Sequence, residues 1–269
     1  MSGDSSGAMR RAAMYGVNDL SSMAIFSGNF INFGYWQHFT PGLISIDDRT
    51  ESQANLYRTV LRRLEIDSTD VALEVGCGIA VGTALALQEF NPRAVYGLDL
   101  SQDQIDRATR INADLAAHQP DRFVLQQGSA LELPYAGEKF DKCYSVEAAQ
   151  HFEDLATFAS EAHRVLRPAG RLAVTTFFTP DPSAIDELRQ LIETIDSGVD
   201  VILAIGSFRD DLLEAGFVDV RVENLGEHVW RGFDAWIGQT EFRDGWGRNW
   251  LEAYHRGLID YYLITADKK

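Results

Sequence analysis

Two acidic residues and two glycines form a pattern that suits the binding of a small polar cofactor. Glu74 belongs to a short apolar run, and Gly76 and Gly78 follow it at alternate positions. In a parallel sheet, ligands lie beyond the carboxyl ends of the strands, where a glycine turn lets the backbone approach them closely. Asp99 ends the next apolar run. A carboxylate at such a position can accept hydrogen bonds from both hydroxyl groups of a ribose.

The same glycine turn argues against a dinucleotide cofactor. The dinucleotide fingerprint requires a third glycine at position 81, where this chain has Val81. A carboxylate at Glu74 would also repel a pyrophosphate, which binds best at a bare helix N-terminus. We therefore expect a cofactor with an ammonium group and no phosphate, and S-adenosylmethionine meets that description.

A second group of reactive residues follows the apolar run at 140–146. His151 is predicted to act as the general base, because an imidazole with an ordinary pKa of about 6.5 removes protons near neutrality. Glu147 is predicted to orient the substrate, called the acceptor because it receives a group from the cofactor, or a water molecule. A loop histidine can instead cap the next helix, and this alternative stays open. Thr176, at the end of a later strand, cannot support the base electrostatically, so the sequence shows no evident carboxylate partner for His151.

An alternation of strands and helices must position these residues. Strand patterns occur at seven places, namely 71–75, 94–99, 123–125, 140–146, 171–178, 218–225 and 260–266. Amphipathic helical patterns separate most of them, which is typical of a parallel sheet covered on both faces. The predicted fold class is α/β, with a doubly wound, mostly parallel seven-stranded sheet.

The alternation also predicts the domain organisation. Residues 1–60 form an N-terminal helical cap with a disordered start, and residues 61–178 form the cofactor-binding core. An inserted helical lid follows at 179–206, and residues 207–269 return to the sheet with an aromatic-rich helical segment. The aromatic residues of that segment fit either an acceptor pocket or the core; they are Trp230, Phe233, Trp236, Trp246 and Trp250.

With these motifs the chain resembles class I S-adenosylmethionine-dependent methyltransferases. The resemblance implies that Glu74 holds the methionine amine of the cofactor through water, while Gly76 and Gly78 make room for it. It assigns the ribose to Asp99. The adenine falls to three further residues, namely Leu100, Ser129 and Ala130. Ala80 stands where the family has its third glycine, and Ser129 where it has an aspartate.

A narrower resemblance comes from the N-terminal segments 30–36 and 51–57. They are similar to segments of sugar, polyketide and mycobacterial glycolipid O-methyltransferases. In those enzymes a helical cap closes over the cofactor, which implies cofactor contacts for Tyr35 and Gln53. The expected activity is methylation of a small, partly apolar molecule of secondary metabolism, such as antibiotic biosynthesis. O-methylation is favoured; C- or N-methylation, or a cyclase of the same fold that transfers no methyl group, remain alternatives.

The amino-acid composition further limits the classes of binding partner that we expect. The formal net charge of −16 over 269 residues disfavours nucleic acid and anionic lipid, which bind clustered Lys and Arg. Two cysteines suggest neither a metal site nor a disulfide framework. No apolar run approaches the ~20 residues of a membrane helix, so we expect a cytoplasmic protein. Whether it forms a homo-oligomer is left open.

Overall fold

A computed structural model describes residues 9–11, 13, 25–37, 39 and 41–269. The disordered start predicted for the cap lies outside these residues. The described chain forms one seven-stranded sheet with helices on both faces, which confirms the predicted α/β class.

The sheet has the strand order β3-β2-β1-β4-β5-β7-β6. Its strands are β1 Val71–Val75, β2 Ala94–Asp99, β3 Phe123–Gln127, β4 Phe140–Val146, β5 Leu166–Phe178, β6 Val218–Asn224 and β7 Asp260–Asp267. The first five strands pair in parallel, and β7 runs antiparallel between β5 and β6. The strand order reverses between β1 and β4, which is where ligands bind in open α/β sheets.

Between residues 41 and 269 the structure has ten α-helices, labelled in chain order. They are α1 Ile46–Leu64, α2 Val81–Leu85, α3 Gln102–Ile111, α4 Ala113–His118, α5 Leu155–Val165, α6 Ile185–Leu191, α7 Glu193–Asp196, α8 Ile205–Glu214, α9 Gly226–Ile237 and α10 Asn249–His255. Helix α2 continues directly into a π-helical turn, Ala86–Phe90. The predicted lid at 179–206 contains the short helices α6 and α7.

Two apolar cores lie on the two faces of the sheet, because successive strand residues point to opposite sides. Val71, Leu73 and Val75 of β1 pack with α5 and α8, whereas Ala72 packs with α1, α9 and α10. Trp230, Phe233 and Trp250 of the aromatic-rich segment belong to the second core, and Trp236 packs in a smaller cluster with Trp36 and Ile44. The core interpretation therefore holds for these four buried residues, whereas Trp246 is exposed.

Helix α1 joins the N-terminal segment to the sheet. It continues without a break across the predicted boundary at residue 60 to Leu64, and it buries one face on the sheet. Arg49 of α1 is fully buried and donates to the carbonyl oxygens of Asn32, at 2.6 Å, and Phe33, at 2.9 Å. Its guanidinium lies over the rings of Trp36 and Phe233. Arg49 thus anchors the loop of residues 25–37, called the cap loop below.

Replacing this anchor is expected to destabilise the protein. Arg49→Met keeps the length of the side chain but leaves two buried carbonyl groups without their donor. We expect the free energy of unfolding to fall by about 3 kcal/mol, measured by urea denaturation. Arg62→Met on the exposed side of the same helix is the control, with an expected change within about 0.5 kcal/mol. Equal stability of the two variants would contradict the anchoring role.

Candidate active site

A cavity of about 460 Å³ opens at the carboxyl ends of β1, β2 and β4. This volume lies within the usual range of small-molecule sites, roughly 300–1,000 Å³. Most of the predicted site residues line it, namely Gly76, Gly78, Asp99, Leu100, Ser129, Ala130, Glu147 and His151. The structure therefore brings the glycine turn, the ribose candidate and the candidate base together.

The turn after β1 needs backbone conformations that favour glycine. Gly76 has a φ of 79° and Gly78 a φ of 54°. A Cβ on Gly76 would overlap the Cβ of Ala148, whereas no described atom lies within 4 Å of a Cβ placed on Gly78. Ala80 also adopts a positive φ, of 59°. That conformation costs an alanine about 1–2 kcal/mol, and burial of its methyl group offsets roughly 0.8 kcal/mol.

Two backbone amide groups hold the Asp99 carboxylate in place. Its Oδ2 accepts a hydrogen bond from the amide of Gly78 at 2.8 Å, and its Oδ1 accepts one from Ser101 at 2.9 Å. Each carboxylate oxygen can accept a second hydrogen bond, so a ribose diol fits this site. Leu100 beside it is 70% exposed and forms an apolar wall of the cavity.

Glu74 does not line the cavity. Its side chain points to the α1 side of the sheet, where it accepts hydrogen bonds from the hydroxyl groups of Tyr57, Thr83 and Tyr144. Burial raises the pKa of Glu74 to about 7, and these hydroxyl donors oppose the rise. Tyr57 itself lines the cavity and separates Glu74 from it. The sequence analysis missed Tyr57, which only the packing of α1 on β1 reveals.

Tyr35 and Gln53 also lie outside the cavity wall. The Tyr35 ring packs on His228, with 4.9 Å between the ring centroids. Gln53 donates from Nε2 to the carbonyl oxygen of Phe30 at 2.7 Å, and Phe30 lines the cavity. Gln53 therefore positions the cap loop, and the cofactor contacts of Tyr35 and Gln53 stay predictions.

Glu147 connects β4 to the cap loop. One carboxylate oxygen, Oε1, accepts hydrogen bonds from the amide of Phe33 and the hydroxyl of Tyr261, both at 2.7 Å. Burial raises the pKa of Glu147 to about 8, and the nearby Arg49 charge opposes the rise. The residue also has a φ of 47°, a strained conformation of the kind that clusters at functional sites.

His151 ends a short 3₁₀ turn, Ala149–His151, and lines the cavity. Asp154 caps the next helix by accepting a hydrogen bond from the amide of Thr157 at 3.0 Å, so the capping alternative for His151 is wrong. The Nδ1 atom of His151 lies 3.1 Å from the carbonyl oxygen of Val199. Since a carbonyl oxygen only accepts hydrogen bonds, Nδ1 carries the proton and Nε2 carries the basic lone pair.

The structure also reveals a carboxylate partner for His151 that the sequence analysis missed. Oδ1 of the buried Asp200 lies 3.3 Å from Nδ1 of His151. Burial lowers the pKa of His151, while the Asp200 charge raises it. The available signal was one acidic residue between Val199 and Val201 in an otherwise apolar stretch. Thr176 instead donates a hydrogen bond to Oε1 of Gln150 at 2.7 Å.

Metal ligands and membrane-spanning helices can be assessed for the residues that the structure describes. No group of three or more His, Cys, Asp or Glu side chains among them could hold a metal ion. No helix among them is long and apolar enough to cross a membrane. Both cysteines, Cys77 and Cys143, are buried thiols.

Comparisons with known proteins agree with this geometry. A family model described as a methyltransferase domain matches residues 73–174. The chain is 29% identical over 233 residues to erythromycin 3''-O-methyltransferase of Saccharopolyspora erythraea, covering 81% of this chain and 72% of that protein. It is 27% identical to the methyltransferase GfsG of Streptomyces halstedii, covering 91% and 89%. Geranyl diphosphate C-methyltransferase of Streptomyces coelicolor A3(2) shares the fold, with a TM-score of 0.80, 18% identity and 98% coverage of both chains.

The first prediction from this site concerns Asp99. Asp99→Ala removes the acceptor for both ribose hydroxyls, and hydrogen bonds to a charged group contribute about 1.5–3 kcal/mol. The affinity for S-adenosylmethionine should therefore fall roughly ten- to a hundredfold, measured by titration calorimetry. Asp106→Ala, at an exposed position of α3, is the matched control. Unchanged affinity in a folded Asp99→Ala protein would exclude this carboxylate from the cofactor site.

The second prediction concerns the buried carboxyl group of Glu74. Its pKa is raised in the folded state, so its contribution to stability is full below about pH 4.5 and is lost as the pH rises through about 7. The loss amounts to about 3 kcal/mol, and Glu74→Gln should abolish it. Denaturation at pH 5 and pH 8 should show the variant gaining on the wild type at the higher pH. Glu193→Gln, at an exposed site, should not gain, and equal behaviour of the two variants would contradict the account.

Proposed function

Because the chain belongs to the class I S-adenosylmethionine-dependent methyltransferases, we propose that it methylates a hydroxyl group of a small, partly apolar molecule with His151 as the general base. The observation that carries this proposal is the hydrogen bond between Nδ1 of His151 and the carbonyl oxygen of Val199. In a neutral imidazole this bond favours the tautomer with the proton on Nδ1, which leaves Nε2 as the atom that accepts a proton.

Several cavity residues fit the cofactor. Asp99 supplies ribose acceptors, Leu100 an apolar surface for the adenine, and Gly78 the open space that a closely approaching ligand requires. Ser129 and Ala130 complete the adenine side of the cavity. When bound, S-adenosylmethionine supplies an electrophilic methyl group on a sulfonium sulfur.

His151 and the residues around it then bind and deprotonate the acceptor. Nε2 of His151 would take the proton of the acceptor hydroxyl as its oxygen is methylated, while S-adenosylmethionine held by Asp99 would supply the methyl group and leave as S-adenosylhomocysteine. Glu147 faces the same cavity, and its carboxyl group is fixed by Phe33 and Tyr261, so it can orient the acceptor. Proximity and orientation of this kind supply much of the catalysis that such a displacement requires.

The cap loop closes one side of the cavity. Gly28 and Asn29 both adopt positive φ values, of 61° and 64°, in a tight turn closed by a hydrogen bond from the amide of Phe30 to the carbonyl of Ser27. Asn29, Phe30 and the next residue, Ile31, line the cavity. This rigid turn supports a site from which water is excluded during transfer.

The relatives support an alcohol acceptor of secondary metabolism. They include erythromycin 3''-O-methyltransferase and 27-O-demethylrifamycin SV methyltransferase. A sterol 24-C-methyltransferase is also similar to this chain, so methylation of carbon is the main competing reaction. A cyclase that transfers no methyl group is not favoured, because these curated relatives are methyltransferases.

Mass spectrometry can separate these reactions. The protein is incubated with S-adenosylmethionine and a panel consisting of 27-O-demethylrifamycin SV, a tocopherol, a fatty acid and a sterol. Formation of S-adenosylhomocysteine together with a methyl ether supports the proposal. A methylated carbon in the product would instead support the competing reaction.

His151→Ala tests the base directly. Proton transfer by a positioned side chain contributes typically 10²- to 10⁴-fold, so kcat should fall by that factor while cofactor affinity stays unchanged. The wild type should lose activity as His151 becomes protonated. This loss should occur at a pH below the ordinary pKa of an imidazole, because burial lowers the pKa of His151. The variant should lack this acidic limb, whereas exposed His118→Ala should keep it. A loss of only a few-fold with the acidic limb intact would exclude His151 as the base.

A further inference from the structure

We propose that Asp200 of the segment between β5 and α8 is the positioning residue for His151. It holds the imidazole in the tautomer whose Nε2 takes the proton of the acceptor, and it stabilises the imidazolium that then forms. This inference rests on the proposed function, since it assumes that His151 is the base.

The contact between the two side chains is direct and buried. Oδ1 of Asp200 lies 3.3 Å from Nδ1 of His151, and Asp200 is 8% exposed. The Nδ1 proton is thus shared between this carboxylate and the carbonyl oxygen of Val199. A buried carboxylate is costly unless a charged or donating partner faces it, and His151 is such a partner.

The backbone on both sides of Asp200 is joined to neighbouring elements. The amide of Val201 donates to the carbonyl oxygen of Gln150 at 2.8 Å, and the amide of Asp200 donates to that of Thr194 at 2.9 Å. Val199 accepts from His151 itself. These bonds fix the 199–201 backbone against the turn that carries His151, so the carboxylate position does not depend on a mobile side chain alone.

The other charged groups near this pair do not replace His151 as the partner of Asp200. The Arg11 guanidinium is close to both residues, but it donates to Oε1 of Glu153 at 3.0 Å and to the carbonyl oxygen of Gly198 at 2.8 Å. The Arg11 charge lowers the pKa of His151, whereas the Asp200 and Asp99 charges raise it. Burial raises the pKa of Asp200, while the His151 and Arg11 charges oppose the rise. Burial is also the main cause of the raised pKa of Glu147, to which the Asp200 charge adds.

The end of β5 cannot supply the same support. Thr176 is uncharged, and its hydroxyl is committed to Gln150. The carboxylate instead comes from the segment after α7, which packs on the turn at 149–151. The base is therefore complete only while this segment stays docked, which links the inserted segment to catalysis as well as to shielding.

The test compares Asp200→Asn with two matched variants. Asp200→Asn keeps the shape of the side chain and removes its charge, while Asp196→Asn makes the same change at an exposed position of the same segment. His151→Ala reports on the base itself and identifies the His151 signal in NMR spectra. Turnover is measured with 27-O-demethylrifamycin SV, or with whichever alcohol of the panel the wild type methylates. The pKa of His151 is measured by NMR in the protein bound to S-adenosylhomocysteine.

Asp200→Asn should lower kcat roughly 10- to 100-fold, less than His151→Ala, with unchanged cofactor affinity. The pKa of His151 should fall, because the negative charge that favours the imidazolium is gone. The acidic limb of the pH profile should move to lower pH with it, which a purely structural role would not cause. Asp196→Asn should behave as the wild type.

Other outcomes separate the two hypotheses. An unchanged pKa of His151 in Asp200→Asn would overturn the positioning role. A lower pKa with unchanged kcat would also overturn it, while a large loss in His151→Ala would leave the proposed function standing. If Asp200→Asn does not fold, the tautomer of His151 in the wild type decides, by long-range ¹H–¹⁵N correlation. A proton on Nδ1 supports the proposal, and a proton on Nε2 alone contradicts it.

Discussion

The close approach of two turns at the reversal of strand order determines the site. Gly76 directly follows β1 and Glu147 directly follows β4, and both residues adopt a positive φ. The Gly76 backbone lies so near Ala148 that a Cβ could not be accommodated. Because the two turns diverge from this point, a cavity opens between them. Asp99 and His151 both line it, so the backbone places the proposed ribose acceptor and the proposed base around one space.

Buried ionisable groups join the surrounding elements to this cavity. Glu147 accepts hydrogen bonds from the cap loop and from β7, and Arg49 holds the same loop from α1. Such groups are costly to bury, and the raised pKa of Glu147 and the lowered pKa of Arg49 express that cost. The cap loop has no described regular helix between residues 25 and 37. The contacts of these buried groups nevertheless give it a single position over the cavity.

Local patterns in the sequence predict the scaffold well. Strand runs, glycine turns and helix caps are set by neighbouring residues, which is why the α/β alternation and the cavity placement of Gly78, Asp99 and His151 follow from the sequence. Long-range packing is not encoded in this way. Glu74 faces Tyr57 and Tyr144 because its side chain points to the face of the sheet on which α1 packs. Asp200 meets His151 only through the path of the chain after β5, so no spacing rule identified it.

The most direct measurement for the central claim is a crystal structure of the protein with S-adenosylhomocysteine. The account predicts both ribose hydroxyls on the Asp99 carboxylate, the adenine against Leu100 and Ser129, and the sulfur directed toward the side of the cavity that carries Glu147 and His151. A cofactor bound elsewhere, or one whose sulfur points away from His151, would contradict methyl transfer assisted by that residue.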